Sequence, residues 1–539
     1  MRSAQQLISF GGLALVIAVG CGGSGRNGFD GDGEGNPAGG EDDLNSGQFG
    51  GDPALNIVLD PKNTTVIIDS ATTPTTAGSV AYKVTQNGKD LTGDATFKLK
   101  DPSLGSFNGA TFTSIASLPE GVLGKSTTVE AKTPNGQGLG TLTVVQLRKT
   151  GAQRDFFFIV PHNEAPSPNN DVLKFSTNIK QADVAFVMDT TGSMGTSINN
   201  LKTAIQGTLM TQLQAAIPNV GLAVVDYRDF GDAWVALVRQ RVTTTLSLAQ
   251  SAVNAMTAFG GGDTPEAAVA AMHYTLTGQA NPPIAAHTPS TPGLFGAAEF
   301  RPGSVPVVVN ITDAPWHTPS GNQSVATLTT AFNTTKAKFV QVSNGAPEAQ
   351  ADALSDATAS NVPPTAFGPS CAAGMCCTGL SGAARTPTGP GGTCRLNFLS
   401  SGGNGVSTGI VQAIQAIAVG TVFDVKASAS NDPKNPKGVD ATKFIKALRA
   451  MDEGNPAQGC PAAPAKDSDG DGIKDTFLSV KAGTPVCFEI IPAMNTIVPP
   501  ELDPQFFNAF VDVIGVQGNL PLDKRSVLFL VPPKDAGVK

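Results

Sequence analysis

From about residue 183 to residue 420, apolar strand-like runs alternate with segments of helical periodicity. The run "ADVAFVM" precedes "TSINNLKTAIQGTLMTQLQAAI", whose apolar residues recur every three or four positions, and "VPVVVNIT" and "AKFVQVS" continue the alternation. Strands that alternate with helices pair in a mostly parallel sheet that has helices on both faces. We therefore expect residues 183–420 to form a doubly wound α/β domain, which binds ligands at the carboxyl ends of its strands.

The flanking regions have a different, strand-rich pattern. Residues 53–150 contain short β-branched runs separated by turn signals such as "QNGKD" and "PNGQG", which predict a β-sandwich that resembles a bacterial Ig-like repeat. Residues 151–182 read as a connecting strand segment, and residues 421–539 as a second β-rich module with one helix candidate, "DATKFIKALRAM". The fold class predicted is therefore multidomain, with a central α/β domain and all-β modules on either side.

The first 21 residues have the pattern of an export signal. Arg2 supplies the positive end, an apolar stretch too short to span a bilayer follows, and "AVGC" ends the segment at Cys21. This end resembles the lipobox of bacterial lipoproteins, which implies that Cys21 is lipidated; an ordinary secretory signal is the alternative. Gly22 in place of aspartate implies, by the same resemblance, an outer-membrane protein that is surface-exposed or faces the periplasm. Residues 22–52 form a glycine-rich tether.

The cysteines agree with an oxidising compartment. Without Cys21 the chain has an even number, six, and the default expectation for an exported chain is three disulfides. Zinc is the competing interpretation, but the adjacent pair "CC" lacks the C-x-x-C spacing of zinc sites and no histidine lies nearby. The connectivity stays open; four of the cysteines fall in a Gly/Pro-rich insertion at 371–394, and the candidates are Cys371, Cys376, Cys377, Cys394, Cys460 and Cys487.

Oxygen-bearing side chains follow three of the predicted elements of the α/β domain. Asp189, Thr191 and Ser193 lie in "DTTGSM" after the first strand, "GGGDTPEA" at 260–267 opens a helix, and Asp313 ends "VPVVVNIT". Such ends meet at one edge of a parallel sheet, and hard oxygen ligands suit Mg²⁺ or Mn²⁺. A strand end capped by Asp and Ser without metal is the alternative, but it explains one loop and not three.

These three loops resemble a von Willebrand factor A (VWA) domain with its metal-ion-dependent adhesion site. The resemblance implies that Thr191 and Ser193 bind the metal directly, that Asp189 and Asp313 act mainly through water, and that a carboxylate of the ligand takes the last position. The second loop departs from the family, because Asp263-Thr264-Pro265 stands where many members have T-x-T. Either Asp263 or Thr264 would fill that role, and a carboxylate there would weaken the pull of the metal on an acidic ligand.

A second cation site is indicated by "DSDGDGIKD" at 467–475. Carboxylates occupy positions 1, 3, 5 and 9, a glycine occupies position 6, and a backbone carbonyl would serve at position 7, as in a calcium loop. Position 12 is Leu478, where an EF-hand needs glutamate, so the loop is more similar to thrombospondin type 3 or dockerin-like calcium repeats and would be a stabilising Ca²⁺ site. An acidic turn without metal is the alternative; the ligand candidates are Asp467, Asp469, Asp471, Ile473 and Asp475.

The formal net charge of −8 gives no electrostatic footprint for nucleic acid. No HExxH, GxSxG or cysteine–histidine arrangement is present, His273 is expected to pack on a helix, and Trp316 and His317 are candidates for the rim of the site. We expect a non-enzymatic, lipid-anchored envelope protein that captures an acidic group of a protein or polysaccharide through Mg²⁺ or Mn²⁺. The alternative is a structural component of an envelope assembly in which metals and disulfides only stabilise the fold.

Overall fold

The computed structural model describes residues 57–69, 75–120, 122–147, 149–150 and 153–534, all within the unit Ala54–Lys539. The side chains of residues 149, 150 and 153 are not described. The predicted signal segment with Cys21 and the predicted tether lie outside these ranges. Within them, the helices all fall short of the length and apolar character that a membrane crossing requires.

The N-terminal region is built of short strands around its own apolar core. One sheet has the order β2-β10-β9-β6, and two three-stranded sheets have the orders β1-β4-β5 and β3-β8-β7. Every second residue of β9 from Thr127 to Thr133 is buried, as expected where one face of a sheet covers a core. The Ig-like assignment stays a prediction. The strands are β1 (Ile57–Asp60), β2 (Asn63–Ile68), β3 (Ser79–Ala81), β4 (Lys83–Gln86), β5 (Lys89–Asp90), β6 (Thr96–Leu99), β7 (Gly105–Asn108), β8 (Thr111–Ser114), β9 (Gly124–Thr133), β10 (Gly136–Gln146), β11 (Lys149–Thr150) and β12 (Gln153–Arg154).

Two further strands, β13 (Phe156–Ile159) and β14 (Asp171–Phe175), lie in the segment that we expected to be a connection. β13 pairs in parallel with the last strand of the chain, Phe156 opposite Val527, and β14 pairs antiparallel with the strand Val486–Pro492. The segment 151–182 therefore contributes strands to the C-terminal β module. The α/β domain is inserted in the chain between strands of that module.

The central domain is a six-stranded sheet of order β17-β16-β15-β18-β19-β22, parallel except for the edge strand β17. β15 is buried from Ala182 to Asp189, because helices cover both faces of the sheet. The elements are β15 (Gln181–Asp189), α1 (Gly195–Gln206), α2 (Leu209–Ala216), β16 (Asn219–Tyr227), β17 (Ala236–Thr243), α3 (Leu246–Asn254), α4 (Ala268–Thr277), β18 (Val305–Thr312), α5 (Val325–Thr335), β19 (Lys338–Ser343), α6 (Glu348–Ala357), β20 (Asn361–Val362), β21 (Cys394–Arg395), β22 (Asn397–Leu399) and α7 (Val406–Gly420).

Alternate residues of β15 enter two different cores. Val184 and Phe186 pack with apolar residues of α1, α2, α3 and α7, whereas Ala185 and Val187 pack with residues of α4, α5 and α6. This alternation follows from the opposite directions of successive side chains in a strand. Because β15 and β18 pair in parallel, their carboxyl ends lie at one edge of the sheet, between the two helical layers.

The C-terminal module has a six-stranded sheet of order β13-β29-β28-β23-β26-β25 and a three-stranded sheet of order β14-β27-β24. The helix candidate "DATKFIKALRAM" is wrong: Ala441–Phe444 form one 3₁₀ turn and Ile445–Ala450 form a strand. Pairing of that strand with β27 overrides the local helix preference. The strands are β23 (Val422–Asn431), β24 (Ile445–Ala450), β25 (Ala465–Lys466), β26 (Thr476–Lys481), β27 (Val486–Pro492), β28 (Gln505–Gly515) and β29 (Leu520–Val531).

All six candidate cysteines form disulfides. Cys371 pairs with Cys377 and Cys376 with Cys394, which closes the insertion of the α/β domain on itself. The third disulfide, Cys460–Cys487, encloses residues 467–475 in the C-terminal module. The structure thus supplies the connectivity that the sequence left open.

Candidate metal centre

Asp189, the last residue of β15, accepts the hydrogen bonds that organise the first loop. Its Oδ1 accepts hydrogen bonds from the backbone N–H of Thr191 at 2.9 Å and from Thr191 Oγ1 at 2.7 Å, and its Oδ2 accepts one from Thr312 Oγ1 at 2.6 Å. The residue is 0% exposed. Burial raises the pKa of Asp189 to about 6, even though these hydrogen bonds act to lower it.

Ser193 and Asp313 join the first loop to the third. Ser193 Oγ donates to Asp313 Oδ1 at 2.9 Å, although the two residues are 120 positions apart in the chain. The backbone carbonyl of Asp313 accepts a hydrogen bond from Asn344 Nδ2 at 3.1 Å, which ties this loop to the end of β19. The predicted meeting of the first and third loops at this edge of the sheet is therefore present.

The second loop presents a different carboxylate from the one predicted. Asp263 and Thr264 are both exposed, whereas Glu266 is only 4% exposed. The backbone at Gly261 lies against both the first loop and this glutamate: a Cβ there would be 2.7 Å from Thr191 Cβ and 3.1 Å from Glu266 Oε1. Glu266 is thus the carboxylate of the second loop that adjoins Thr191.

The electrostatic state of Glu266 is unusual. Burial and then the carboxylates of Asp189 and Asp229 raise its pKa to about 8, against a lowering contribution from a hydrogen bond with Thr191. Its Oε2 is buried and has no hydrogen-bond partner among the residues that the structure describes. The sequence did carry a signal for this residue, because Glu266 is the one charged residue in the apolar run "PEAAVAAM" that leads into α4.

Asp263 belongs to another cluster, with Asp229 and His317. One ligand atom of each of these three residues lies within 4.8 Å of the other two. His317 Nε2 is 3.1 Å from Asp229 Oδ1. Burial raises the pKa of Asp229, which is 4% exposed, and Asp263 adds to the rise. Asp229, in "VVDYRDF", was not among the predicted site residues.

Arg228 is a cation beside these carboxylates. Its guanidinium carbon lies 3.9 Å from the centre of the Trp234 ring, and its Nη2 donates to the carbonyl of Thr257 at 3.2 Å. Phe259, which directly precedes the second loop, is 71% exposed, and the centre of its ring lies 5.6 Å from the same guanidinium carbon. Among the contacts described, the guanidinium forms no ion pair with Asp189 or Glu266.

Two other predicted residues pack in the protein interior. Trp316 is 2% exposed and its ring meets Phe339 edge-on at 5.8 Å, so it does not form an exposed rim. His273 on α4 is 5% exposed and burial lowers its pKa, which agrees with the packed role expected for it. Of the two rim candidates, only His317 lies in a cluster with carboxylates.

The acidic loop of the C-terminal module brings together three of its predicted ligands. Asp467, Asp469 and Asp471 have ligand atoms within 4.8 Å of one another. Asp467 accepts the backbone N–H groups of Gly470 at 2.7 Å and Gly472 at 2.8 Å, and these hydrogen bonds lower its pKa. The loop therefore stabilises its own carboxylates with its own backbone.

Asp475 does not join that group. Its Oδ1 accepts the N–H of Ser468 at 3.0 Å, its Oδ2 accepts Ser468 Oγ at 2.7 Å, and Lys426 Nζ lies 3.0 Å from Oδ2. The prediction that Asp475 completes the ligand set is at odds with this geometry, because its oxygens already have donors. The remaining predicted ligand, Ile473, donates its N–H to Asp471 Oδ1 at 2.7 Å.

Comparison with known proteins supports the assignment of the central domain. Residues 183–284 match the family model of the von Willebrand factor A domain. The matched region runs from β15 to beyond α4 and includes the first two loops of the site, while Asp313 lies beyond it. No curated protein matches the chain. VWA domains often bind a divalent metal and generally serve in adhesion or protein interaction, and this chain contains one at residues 183–284.

Proposed function

We propose that the α/β domain binds Mg²⁺ or Mn²⁺ and uses the ion to hold an acidic group of a protein or polysaccharide. The observation that carries the proposal is the pair of buried carboxylates, Asp189 and Glu266, on neighbouring loops. Their pKa values are raised to about 6 and about 8, and one oxygen of Glu266 has no donor within residues 153–534. Negative charge that is buried without partners is costly, and a divalent cation would remove that cost.

The hydroxyl groups of the first loop are arranged to act as ligands. Thr191 Oγ1 gives its proton to Asp189, and Ser193 Oγ gives its proton to Asp313. Each hydroxyl oxygen therefore keeps its lone pairs for a cation, and each carboxylate stabilises a hydroxyl instead of binding the ion itself. Hydroxyl and carboxylate oxygens are the ligands that Mg²⁺ and Mn²⁺ prefer. The residues present fit such an ion.

In this proposal Glu266 takes the role that was expected of Asp263 or Thr264. It lies against Thr191, whereas those two residues are exposed. A bound divalent ion would supply a positive centre for the ligand's acidic group. Glu266 would neutralise part of its charge, so we expect weaker attraction for carboxylates than from a site whose second loop supplies only a hydroxyl.

The rest of the chain fits a protein held at an envelope surface. We propose that Cys21 carries a lipid anchor in the outer membrane, that residues 22–52 act as a tether, and that Asp467, Asp469 and Asp471 bind Ca²⁺ as a stabilising ion. The disulfides suit an oxidising compartment outside the cytosol. The proposal contains no catalytic step.

Retention of the full chain on immobilised polyglutamate and on immobilised alginate tests this function. We expect retention in Mg²⁺, loss of retention in EDTA, and loss in the variant Asp189→Ala. The matched control is Asp469→Ala, which removes a carboxylate from the C-terminal loop and should be retained like the unaltered chain. Retention that is insensitive to chelation, or absent from both acidic matrices in Mg²⁺, would overturn capture of an acidic group by the metal.

A further inference from the structure

A second set of ligand-type side chains lies beside the proposed Mg²⁺ site and takes no part in it. Asp229 follows β16, Asp263 lies on the second loop, and His317 lies on the loop after β18. Their ligand atoms nevertheless come within 4.8 Å of one another. The cluster is assembled by the fold from three separate loops.

The backbone holds His317 in place in this cluster. The N–H of His317 donates to the carbonyl of Glu266 at 2.9 Å, and the N–H of Glu266 donates to the carbonyl of Pro315 at 3.0 Å. These two hydrogen bonds join the second loop to the third. The N–H of Asp229 is likewise fixed, since it donates to Asp232 Oδ2 at 3.2 Å. The backbone that carries the imidazole and the Asp229 carboxylate is therefore held by hydrogen bonds within the domain.

The carboxylate of Asp229 is buried, and its Oδ1 lies beside the imidazole of the cluster. The residue is 4% exposed, and its Oδ1 has no hydrogen-bond partner of acceptable geometry in the part of the chain that the structure describes. His317 Nε2 lies 3.1 Å from this oxygen, at ion-pair distance. A buried carboxylate oxygen that lies beside an imidazole nitrogen and a second carboxylate, without a well-aligned hydrogen bond among the described residues, points to a site for a cation.

The ligand set selects a class of metal. Imidazole nitrogen suits Zn²⁺ and its transition-metal neighbours, whereas Mg²⁺ and Ca²⁺ take oxygen ligands. One histidine and two carboxylates leave a coordination position open, as in zinc sites with three protein ligands. Ligands about 2.1 Å from a tetrahedral zinc ion are about 3.4 Å apart, so small side-chain movements would close this cluster on the ion.

We propose that Asp229, Asp263 and His317 bind a Zn²⁺-class ion, at a site separate from the Mg²⁺ or Mn²⁺ site of Asp189. This assignment does not depend on the proposed function, because the two sites share no ligand. It also explains why Asp263 does not take the second-loop position of the first site: its carboxylate belongs to the neighbouring ion. Glu266 then stands between two cations.

The test is a calorimetric titration of Zn²⁺ into the full chain after it has been stripped with EDTA, with Co²⁺ absorption as a spectroscopic readout of imidazole ligation. We expect one Zn²⁺ site that His317→Ala weakens by at least about tenfold, since loss of even an outer-shell partner of a metal costs that much. The matched control is His162→Ala, which removes an imidazole from the C-terminal β module. The backbone of His162 pairs there with that of Asn495. Asp263→Asn, at an exposed position, gives a second variant with little risk to folding.

Each outcome decides the proposal. Parallel loss of Zn²⁺ affinity and of the Co²⁺ spectrum in His317→Ala and Asp263→Asn, with His162→Ala unchanged, supports it. Zn²⁺ binding that either variant leaves at the affinity of the unaltered chain overturns it. Zn²⁺ binding that Asp189→Ala abolishes and His317→Ala does not would place zinc at the first site, which also overturns it. Loss of Mg²⁺ binding alone in Asp189→Ala separates the two sites, so this site and the proposed function can fail independently.

Discussion

The two acidic regions of the molecule use the same residue types in opposite electrostatic states. At the edge of the α/β sheet, burial raises the pKa values of Asp189 and Glu266 to about 6 and about 8. In the C-terminal loop, backbone N–H groups lower the pKa of the half-buried Asp467. In the first region one buried oxygen of Glu266 has no donor among the described residues, whereas in the second the backbone already donates to Asp467.

This difference changes what metal binding would do in each region. A cation at the first site would replace protons on carboxylates that the fold holds away from water, so binding and stability should be strongly coupled. A cation at the second site would compete with hydrogen bonds that shape the loop already. We therefore expect large effects at the first site and small ones at the second, in the following order.

The largest effect is expected from Asp189→Asn. The amide keeps the size of the side chain but removes the charge that orients the hydroxyl of Thr191 and polarises the site. We expect Mg²⁺ affinity measured by calorimetry to fall by at least about a hundredfold. Ca²⁺ binding at the C-terminal loop serves as the internal control and should be unchanged. An unaltered Mg²⁺ titration would remove Asp189 from the site.

The second effect is a pH dependence of the metal-free chain. Native Glu266 titrates at about 8 against an ordinary value of 4.5, so between these values the folded chain binds a proton that the unfolded chain has lost. The free energy of unfolding must then fall as pH rises through that window. Asp189 acts in the same direction between 3.8 and about 6. We expect the unfolding temperature in EDTA to fall from about pH 5 to about pH 8.

Two comparisons check the cause of that fall. Glu266→Gln should flatten the profile, because the amide does not titrate, and Mg²⁺ should flatten it for the unaltered chain. Asp467→Asn should leave the profile above pH 5 unchanged, since its lowered pKa confines its effect to more acidic conditions. A profile that is equally steep in Glu266→Gln would show that other groups cause the fall.

Parts of the site that are close together in the chain could be predicted from the sequence, and parts that only the fold brings together could not. Asp189, Thr191 and Ser193 lie within five positions at the end of a buried strand, so their proximity is local and predictable. Glu266 and Asp229 lie on segments that come together only in the folded chain, where the N–H of Ala267 donates to the carbonyl of Arg228, and nothing in their neighbourhood along the chain specifies that contact. The same limit applies to the fold at Phe156, which pairs with Val527 across most of the chain.

The helix expected at 440–451 failed for a related physical reason. Its residues have adequate helix propensity, but the strand Ile445–Ala450 gains its hydrogen bonds and its burial from β27. A propensity of a few tenths of a kcal/mol per residue is small beside such tertiary contacts. The α/β alternation, by contrast, extends over many elements and was sufficient to predict the parallel sheet.

A moderate effect is expected at the C-terminal loop from Asp469→Asn. Asp469 is exposed and is one of the three carboxylates whose ligand atoms converge. Removal of one charge should weaken Ca²⁺ binding by about tenfold, because charge count tunes such loops. Stability in EDTA should change by less than about 0.5 kcal/mol, as for other exposed positions. Equal Ca²⁺ affinity in the variant would favour an acidic turn without metal.

The smallest effect on Ca²⁺ binding is expected from Asp475→Asn. Burial acts to raise the pKa of Asp475, but hydrogen bonds from Ser468 and Thr476 and the contact with Lys426 outweigh it and leave the pKa lowered. The carboxylate is therefore a structural acceptor that joins the loop to β23. We expect the variant to lose about 1.5 to 3 kcal/mol of unfolding free energy, the usual worth of hydrogen bonds to a charged group, with Ca²⁺ affinity unchanged.

Comparison with Asp469→Asn then separates the two roles within one loop. Denaturant unfolding in EDTA should distinguish Asp475→Asn from the unaltered chain, and a Ca²⁺ titration should distinguish Asp469→Asn. If Asp475→Asn instead weakened Ca²⁺ binding as strongly as Asp469→Asn, the carboxylate would have to leave Ser468 and Lys426 and turn into the loop when the ion binds. In that case the loop would reorganise around its ion, and its difference from the buried site of the α/β domain would be smaller than its hydrogen bonds indicate.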